Sequence, residues 1–198
     1  MSKNGPPKVR DKLDQYHALL LKWQPKINLI SNSTIATAWQ RHFEDSLQIL
    51  PYIPAHTKTL FDLGSGAGFP GLIIAMAKPE INVCLVESDQ KKCSFLKTVS
   101  RETKSPVTIM NSRIEDVSHE TPPDVITARA LASLKTLFEY CEKWIAGNPD
   151  IHLIFPKGEN AAQELEELAK IWDYECGTYG SKTDPDAKIL VFSSISKL

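Results

Sequence analysis

The stretch Leu60-Phe61-Asp62-Leu63-Gly64-Ser65-Gly66-Ala67-Gly68-Phe69-Pro70-Gly71 decides the fold, because it joins an apolar strand to a carboxylate and four glycines within one tight turn. Glycine permits positive φ and lets the main chain approach a ligand closely. Pro70 is tolerated in the first turn of a helix, whose free N–H groups and dipole attract polar or anionic groups. The stretch therefore predicts a loop that binds a nucleotide-like ligand.

Two interpretations of this loop are open. Gly66-x-Gly68-x-x-Gly71 satisfies the dinucleotide fingerprint, and Glu87 follows at about the distance expected for an acid that binds a ribose. Asp62 and Gly64 extend the motif to Asp-x-Gly-x-Gly-x-Gly, which resembles the first motif of the class I S-adenosylmethionine-dependent methyltransferases. The longer match favours a methyltransferase over a nicotinamide dinucleotide oxidoreductase.

Length and composition limit the class of protein. The chain has 198 residues, of which 42% are hydrophobic, enough for one domain with a substantial core. Its formal net charge of −1 argues against bulk electrostatic coating of nucleic acid, so an RNA partner requires a local basic patch. Residues 1–8 are polar and no apolar run of about 18 residues occurs, so we expect a cytoplasmic protein without a membrane span.

The four cysteines do not indicate a metal centre or a disulfide framework, because none of them lies in a CxxC or CxxH spacing. We expect them to be small packing residues, and we expect no metal ion. They are Cys84, Cys93, Cys141 and Cys176.

The pattern along the chain predicts a helical extension over residues 1–55, and with the motif resemblance it implies an S-adenosylmethionine-binding methyltransferase domain, one compact unit, over residues 56–198. Apolar spacings of three and four predict a helix over 9–23 and a second helical stretch from Trp39 to Pro51. Short apolar runs then alternate with helices, which is typical of βαβ units. The predicted strands are 59–61, 82–86, 107–110, 124–127 and 151–155, followed by a hairpin of 174–179 and 188–193; the predicted helices are 72–77, 92–100, 134–144 and 161–172.

Five parallel strands followed by an antiparallel pair is the sheet of the class I methyltransferases, whereas a dinucleotide-binding fold would continue with a second βαβ half. We therefore expect an α/β, Rossmann-like fold. Its sheet should have seven strands, mostly parallel, with an antiparallel C-terminal hairpin and an N-terminal helical extension.

Ligands of open α/β sheets lie beyond the carboxyl ends of the strands, so residues just after each strand are the site candidates. After the second strand, the carboxylate of Glu87 can accept hydrogen bonds from both ribose hydroxyls. After the third, Ile114 offers an apolar surface to an adenine, and Glu115 a carboxylate to its polar edge. With the loop residues, the predicted cofactor-binding set is Gly64, Gly66, Phe69, Glu87, Ile114 and Glu115.

Further stretches make the resemblance closer and extend it over nearly the whole chain, from about residue 16. Besides 62–71, they are Arg41-His42-Phe43-Glu44-Asp45-Ser46-Leu47, residues 87–96 with Lys91-Lys92, Thr127-Ala128-Arg129-Ala130-Leu131-Ala132-Ser133-Leu134 and Lys157-Gly158. Together they resemble the bacterial ribosomal RNA small subunit methyltransferase G family, also called glucose-inhibited division protein B. The resemblance implies methyl transfer from S-adenosylmethionine to N7 of a guanine in 16S rRNA near the decoding centre.

The resemblance also implies partners and residue roles. Family cofactor contacts fall on Gly64, Phe69, Ile114, Glu115 and Arg129. The expected partner is 16S rRNA or the small ribosomal subunit, and we expect a monomer. Methyl transfer to another RNA or to a small molecule is the alternative.

The chemistry of guanine indicates what the substrate side must do. N7 has an in-plane lone pair and loses no proton when it is methylated, so the reaction needs positioning rather than a general base. Arg129 and Lys157 are the predicted catalytic residues, since they follow strands where a base and its phosphates would arrive; Arg129 could read guanine O6 or hold a phosphate. Predicted RNA contacts are Arg41, His42 and Lys157. For His42 and Asp45, a lid over the cofactor and local packing both stay open.

Overall fold

The sheet has the predicted seven strands. A computed structural model of the chain describes residues 9–118 and 122–198. The strands, in the order β3-β2-β1-β4-β5-β7-β6, are β1 (Thr59–Leu63), β2 (Asn82–Glu87), β3 (Thr108–Asn111), β4 (Val125–Ala128), β5 (His152–Lys157), β6 (Trp172–Gly180) and β7 (Lys188–Lys197). Strands β1 to β5 are parallel, and β7 is antiparallel to both of its neighbours. The mostly parallel sheet with an antiparallel C-terminal hairpin is thus confirmed.

Helices cover both faces of this sheet. They are α1 (Val9–Trp23), α2 (Asp45–Leu47), α3 (Gly71–Ala77), α4 (Gln90–Glu102), α5 (Leu134–Gly147) and α6 (Ala161–Leu168). Buried side chains of α1, α3 and α4 share one hydrophobic core, and those of α5 and α6 share a second core on the other face. Because both faces are covered, β4 is buried over its whole length and β2 over all but its first residue, which explains why these strands appear as continuous apolar runs in the sequence. Within the described residues, no helix combines the length and apolar character needed to cross a membrane.

The segment before β1 packs into the same core as the glycine-rich loop of residues 64–71. Tyr16 of α1 is fully buried and stacks on Phe69 with ring centroids 5.1 Å apart, and Phe43 packs edge-on to Phe69 at 5.1 Å. The Tyr16 hydroxyl donates a hydrogen bond to the Ala67 carbonyl in that loop. The predicted extension over residues 1–55, of which 1–8 lie outside the described residues, is therefore packed directly against the loop.

The second helical stretch, predicted from Trp39 to Pro51, is not one regular helix in the structure. It consists of a π-helical segment (Trp39–Glu44), hereafter the π segment, then the short α2 and a 3-10 turn (Leu50–Tyr52). The Asp45 N–H bonds to the Gln40 carbonyl, five residues back, which is the widened spacing of a π-helix. Apolar spacing alone could not reveal this widening.

The helix predicted over 161–172 ends instead at Leu168. The Ile171 N–H bonds to the Leu168 carbonyl in a tight turn, and Trp172 begins β6. Its ring lies 5.5 Å from that of Phe138, centroid to centroid, in the second core. In the sequence, apolar residues at this spacing are compatible both with one more helical turn and with a turn that leads into a buried strand.

Candidate active site

A cavity of about 440 Å³ lies at the carboxyl ends of the central strands. Strand β1 lies between β2 and β4, and this reversal of strand order opens a ligand crevice in α/β sheets. Small-molecule sites typically occupy about 300–1,000 Å³. All seven residues predicted to contact the cofactor line this first cavity: Gly64, Gly66, Phe69, Glu87, Ile114, Glu115 and Arg129.

The glycine loop exposes main chain to the first cavity. Gly64 and Gly66 have φ of 61° and 56°, a region that L side chains rarely adopt. A Cβ on Gly64 would also come within 2.6 Å of Leu131 Cδ1. Ser65 anchors the loop from below, because its N–H donates to the Val86 carbonyl and its hydroxyl to the Asp62 carbonyl.

Asp62, the carboxylate of the motif, does not line this cavity; it is fully buried beneath the loop. One oxygen accepts from the Gly71 N–H at the start of α3, at 3.1 Å, and the other from the Thr127 hydroxyl on β4, at 2.9 Å. Burial raises the pKa of Asp62 to about 7, an effect that these hydrogen bonds oppose. Asp62 therefore joins β1, α3 and β4 rather than contacting a ligand.

Glu87 is held in place by main-chain groups. It is buried, and its two oxygens accept hydrogen bonds from the Gly66 and Asp89 N–H groups, each at 2.8 Å. A carboxylate has about four acceptor positions, so two remain for hydroxyl groups in the cavity. This arrangement fits the predicted role of Glu87 with a ribose.

The apolar side of the cavity is held in place by residues that lie outside the glycine-rich motif. Ile114 is buried, and the Lys143 ammonium of α5 donates to its carbonyl at 3.2 Å and to that of Val117 at 2.6 Å. Leu29 and Ile30 also line this cavity, and their loop is organised by the buried side-chain amide of Gln24. Lys143, Gln24, Leu29 and Ile30 were not predicted, since nothing in their local sequence distinguishes them from ordinary helix and loop residues.

The residues of the first cavity fit S-adenosylmethionine. The carboxylate of Glu87 suits a pair of hydroxyls, and Ile114 suits the face of a purine. A Cβ on Gly66 would meet no protein atom other than the Gly64 carbonyl oxygen, 3.8 Å away, so the protein leaves space beside this main chain. At this position glycine therefore permits the positive φ and also leaves space for a ligand beside the main chain.

Arg129 separates the first cavity from a second one and lines both. Its Nη1 donates to the Arg41 carbonyl at 3.0 Å and to an Asp45 carboxylate oxygen at 3.2 Å. Its Nη2 lies 2.9 Å from His42 Nδ1, to which it donates. All of these partners come from residues 41–45 on the π segment and the start of α2. His42 and Asp45 thus hold Arg129, and of the two only His42 also lines the first cavity, as a residue in contact with the cofactor pocket would.

His42 is held in its neutral form. Burial, and then the charge of Arg129, lower its pKa to about 4. Arg129 can only donate, so Nδ1 accepts and the proton is on Nε2, which lies 3.0 Å from the Thr34 hydroxyl. Thr34 in turn donates to the Ser31 carbonyl, and the imidazole ring stacks on Phe69 at 5.3 Å. Both ring nitrogens are therefore engaged.

The second cavity has a volume of about 320 Å³ and contains all three predicted RNA contacts, Arg41, His42 and Lys157. Lys157 is only 13% exposed; its ammonium pairs with Glu164 at 2.8 Å and donates to the Ala132 carbonyl at 2.9 Å. Arg41 pairs with Asp184 at 2.9 Å. The structure places Arg41 and Lys157 at the same cavity and gives each of these two cations a carboxylate partner, which the sequence did not indicate.

Solved structures share this fold. The chain superimposes on the glycopeptide N-methyltransferase MtfA, solved with S-adenosyl-L-methionine, with a TM-score of 0.63 and 7% identity over 77% of this chain and 93% of that one. It superimposes on a chain of a fibrillarin/Nop5p complex with a TM-score of 0.57 and 11% identity, covering 78% of this chain and 81% of that one. At these identities the similarity shows the fold, and it confirms the predicted class I methyltransferase architecture.

Curated relatives are much closer in sequence. The ribosomal RNA small subunit methyltransferase G of Rhodospirillum centenum is 43% identical over 188 residues, which cover 94% of this chain and 84% of that protein. The protein of the same name from Jannaschia sp. is 45% identical over 186 residues, covering 92% of this chain and 87% of that one. The family model for rRNA small subunit methyltransferase G matches residues 9–179. The glycine-rich loop, the residues at the strand ends and the sequence similarity over most of the chain support the same conclusion: this chain belongs to the rRNA small subunit methyltransferase G family.

Proposed function

We propose that the chain transfers the methyl group of S-adenosylmethionine to N7 of a guanine in 16S rRNA near the decoding centre. Membership of the family supports S-adenosylmethionine-dependent methylation of ribosomal RNA. The identity of the methylated atom is a more specific proposal, and it rests on the chemistry of the second cavity. The proposed substrate is 16S rRNA or the small ribosomal subunit, in the cytoplasm, and the acting unit is a monomer.

The first cavity supports the cofactor assignment. S-adenosylmethionine, when bound, supplies an electrophilic methyl group. Glu87 would hold its ribose hydroxyls, Ile114 and Glu115 its adenine, and the main chain of the loop at Gly64 and Gly66 its amino-acid end. Arg129 lines both this cavity and the second one, where the base would enter, and its guanidinium carbon lies 5.2 Å from the centroid of the Phe69 ring.

One observation carries the choice of N7. The second cavity is lined by three groups that could accept a proton, and all three already hold a cation: His42 and Asp45 hold Arg129, and Asp184 holds Arg41. Methylation of an exocyclic amino group or a ribose hydroxyl requires loss of a proton, whereas N7 of guanine has a free lone pair. The site therefore suits N7.

The charges of the second cavity support the same choice. Methyl transfer to N7 places a positive charge on the base, which unpaired cations nearby would oppose. Of the four Lys and Arg side chains that line this cavity, Arg129, Lys157 and Arg41 each form an ion pair, with Asp45, Glu164 and Asp184 respectively, whereas Lys188 forms none with the described residues. Within the described part of the chain, the Nε–H and one Nη2 N–H of Arg129 lack a protein acceptor, so they are available to guanine O6.

The test is methylation of small subunits reconstituted with two 16S rRNA transcripts, one normal and one containing 7-deazaguanine in place of guanine. We expect methyl incorporation into the first and none into the second, with the product identified by mass spectrometry of nuclease fragments. The naked transcript and mature subunits are assayed in parallel to identify the preferred substrate. Incorporation into the 7-deazaguanine subunits would refute N7 as the acceptor.

The dinucleotide oxidoreductase interpretation is disfavoured by the sheet, because β5 is followed by an antiparallel hairpin and not by a second βαβ half. Calorimetric titration with S-adenosylhomocysteine and with NAD separates the two. We expect binding of the former only.

A further inference from the structure

The connection between β6 and β7 contributes a wall of the second cavity and packs against the segment that holds Arg129. We call residues 181–184 the hairpin turn. Ser181 and Asp184 line the cavity. The turn touches the opposite segment through Asp184 and Arg41, and through Thr183 and Asp45, with side-chain contacts of 2.9 Å and 2.7 Å.

Asp45 connects the hairpin turn to Arg129, because its two carboxylate oxygens face different partners. Oδ2 accepts from Arg129, and Oδ1 accepts from the Thr183 hydroxyl and the Gln48 side-chain amide, each at 2.7 Å. Gln48 is itself held by the turn, because its Oε1 accepts from the Lys182 N–H at 2.7 Å and its Nε2 bonds to the Ser181 hydroxyl at 3.0 Å. The orientation of the Asp45 carboxylate is therefore set by two donors tied to the turn.

This connection matters for chemistry because Asp45 and Arg129 are both mostly buried, each with 17% of its side chain exposed. Fixed charges in such a setting act more strongly than in water, and a displacement of about 1 Å at a catalytic group can reduce a rate by about 100-fold. A carboxylate that loses one of two donors on Oδ1 can rotate, and the guanidinium bound to Oδ2 would follow it.

We infer that Thr183 and Gln48 are positioning residues for methyl transfer: through Asp45, they hold the Arg129 guanidinium in the orientation that receives the guanine. The inference rests on the proposed function and extends its site to the hairpin turn. Neither residue lines the cofactor cavity itself, and Asp45, through which both act, lines only the second cavity, so their contribution should fall more on the methyl-transfer step than on cofactor affinity.

The test compares Thr183→Val, which keeps the β-branched shape and removes the hydroxyl, with Thr183→Ser, which restores it. We expect kcat on small subunits to fall about 10-fold in Thr183→Val, the rate equivalent of one hydrogen bond. The dissociation constant of S-adenosylhomocysteine should stay within about twofold, and Thr183→Ser should recover most of the rate. Thr98→Val, which removes a hydroxyl from α4, is the matched control and should behave like the unchanged protein.

A second measurement does not depend on the substrate. The side-chain Nε–H signal of Arg129, assigned by its loss in Arg129→Lys, should shift or broaden in Thr183→Val and return in Thr183→Ser. An unchanged kcat and an unchanged Arg129 signal in Thr183→Val would overturn the inference, and so would a rate loss that the serine variant does not repair. If the Arg129 signal responds but no variant, nor the unchanged protein, methylates guanine N7, the proposed function fails while the positioning contact stands.

Discussion

The two cavities are built in different ways, although Arg129 lines both. The first is shaped mainly by main chain close to one motif: the loop has positive φ at Gly64 and Gly66, and Glu87 is fixed by two main-chain N–H groups. The second is shaped by ion pairs between side chains from distant segments, such as Arg41 with Asp184. A main-chain cradle should tolerate change around it, whereas a network of ion pairs should be sensitive at every member.

The largest effect is expected from Arg129→Ala, since Arg129 is the cation that both cavities share. We expect kcat to fall by about 100-fold or more, the scale of losing one preorganised donor at a reacting group, while the protein stays folded. Removal of this charge should also raise the pKa of His42, because Arg129 is the second cause, after burial, of its low value. Methyl incorporation and imidazole NMR titration measure the two effects.

Arg101→Ala, an exposed arginine on α4 paired with its neighbour Glu102, is the control for Arg129→Ala and should retain activity. If Arg129→Ala turns over at the unchanged rate, Arg129 is a bystander, and the two cavities do not act together.

Glu87→Ala tests the main-chain half of the comparison. We expect cofactor affinity to weaken by about 1.5–3 kcal/mol, the range for hydrogen bonds to a charged group, because the variant loses the acceptor for hydroxyls and releases the Gly66 N–H. Calorimetry with S-adenosylhomocysteine measures the change, with Glu102→Ala as an exposed carboxylate control. An unaltered dissociation constant would remove Glu87 from the site.

Asp62→Asn should act on stability, since Asp62 supports the loop without lining a cavity. The amide has one acceptor oxygen for two donors, the Gly71 N–H and the Thr127 hydroxyl, so the hydroxyl must turn towards the Phe61 carbonyl, 3.4 Å away, and accept from the amide instead of donating to it. We expect a loss of about 1–3 kcal/mol in the free energy of unfolding. Urea denaturation compares it with Asp173→Asn on the exposed side of β6. Equal stability of the two variants would show that the buried carboxylate does not tie β1 to α3.

The smallest effect is a dependence of stability on pH through His42. In the unfolded chain His42 takes up a proton near its ordinary pKa of 6.5, but in the folded protein only near about 4. The unfolded state therefore binds more protons between these values, and stability should fall as the pH is lowered from 6.5 towards 4. Because solvent reaches this half-buried ring, we expect a contribution below about 1 kcal/mol. Between pH 7 and pH 5 the unchanged protein should lose stability relative to His42→Asn, since other groups that titrate in this range, such as Asp62, are present in both proteins; a constant difference in stability between the two would contradict this assignment.

The same contrast decides what the sequence could predict. Glu87 and the glycine loop could be placed at the first cavity from the sequence because their location depends on residue type at a position relative to a strand, and buried parallel strands are visible as apolar runs. The partners of Arg129 could not be predicted, since His42 and Asp45 are more than 80 residues away in the chain and meet it only through the π segment. The pairing of Lys157 with Glu164 likewise depends on where α6 packs. Asp62 was found as a motif residue, but its structural role needed its contacts with Gly71 and Thr127.

Tyr16 and Thr183 are separated by most of the chain, yet the first supports the glycine loop and the second the clamp on Arg129. All residues that line the first cavity lie between Leu29 and Tyr140, so they are synthesised before the last hairpin. The clamp on Arg129 needs residues made early and residues made late to meet. It can therefore be completed only after every residue of the first cavity has been made.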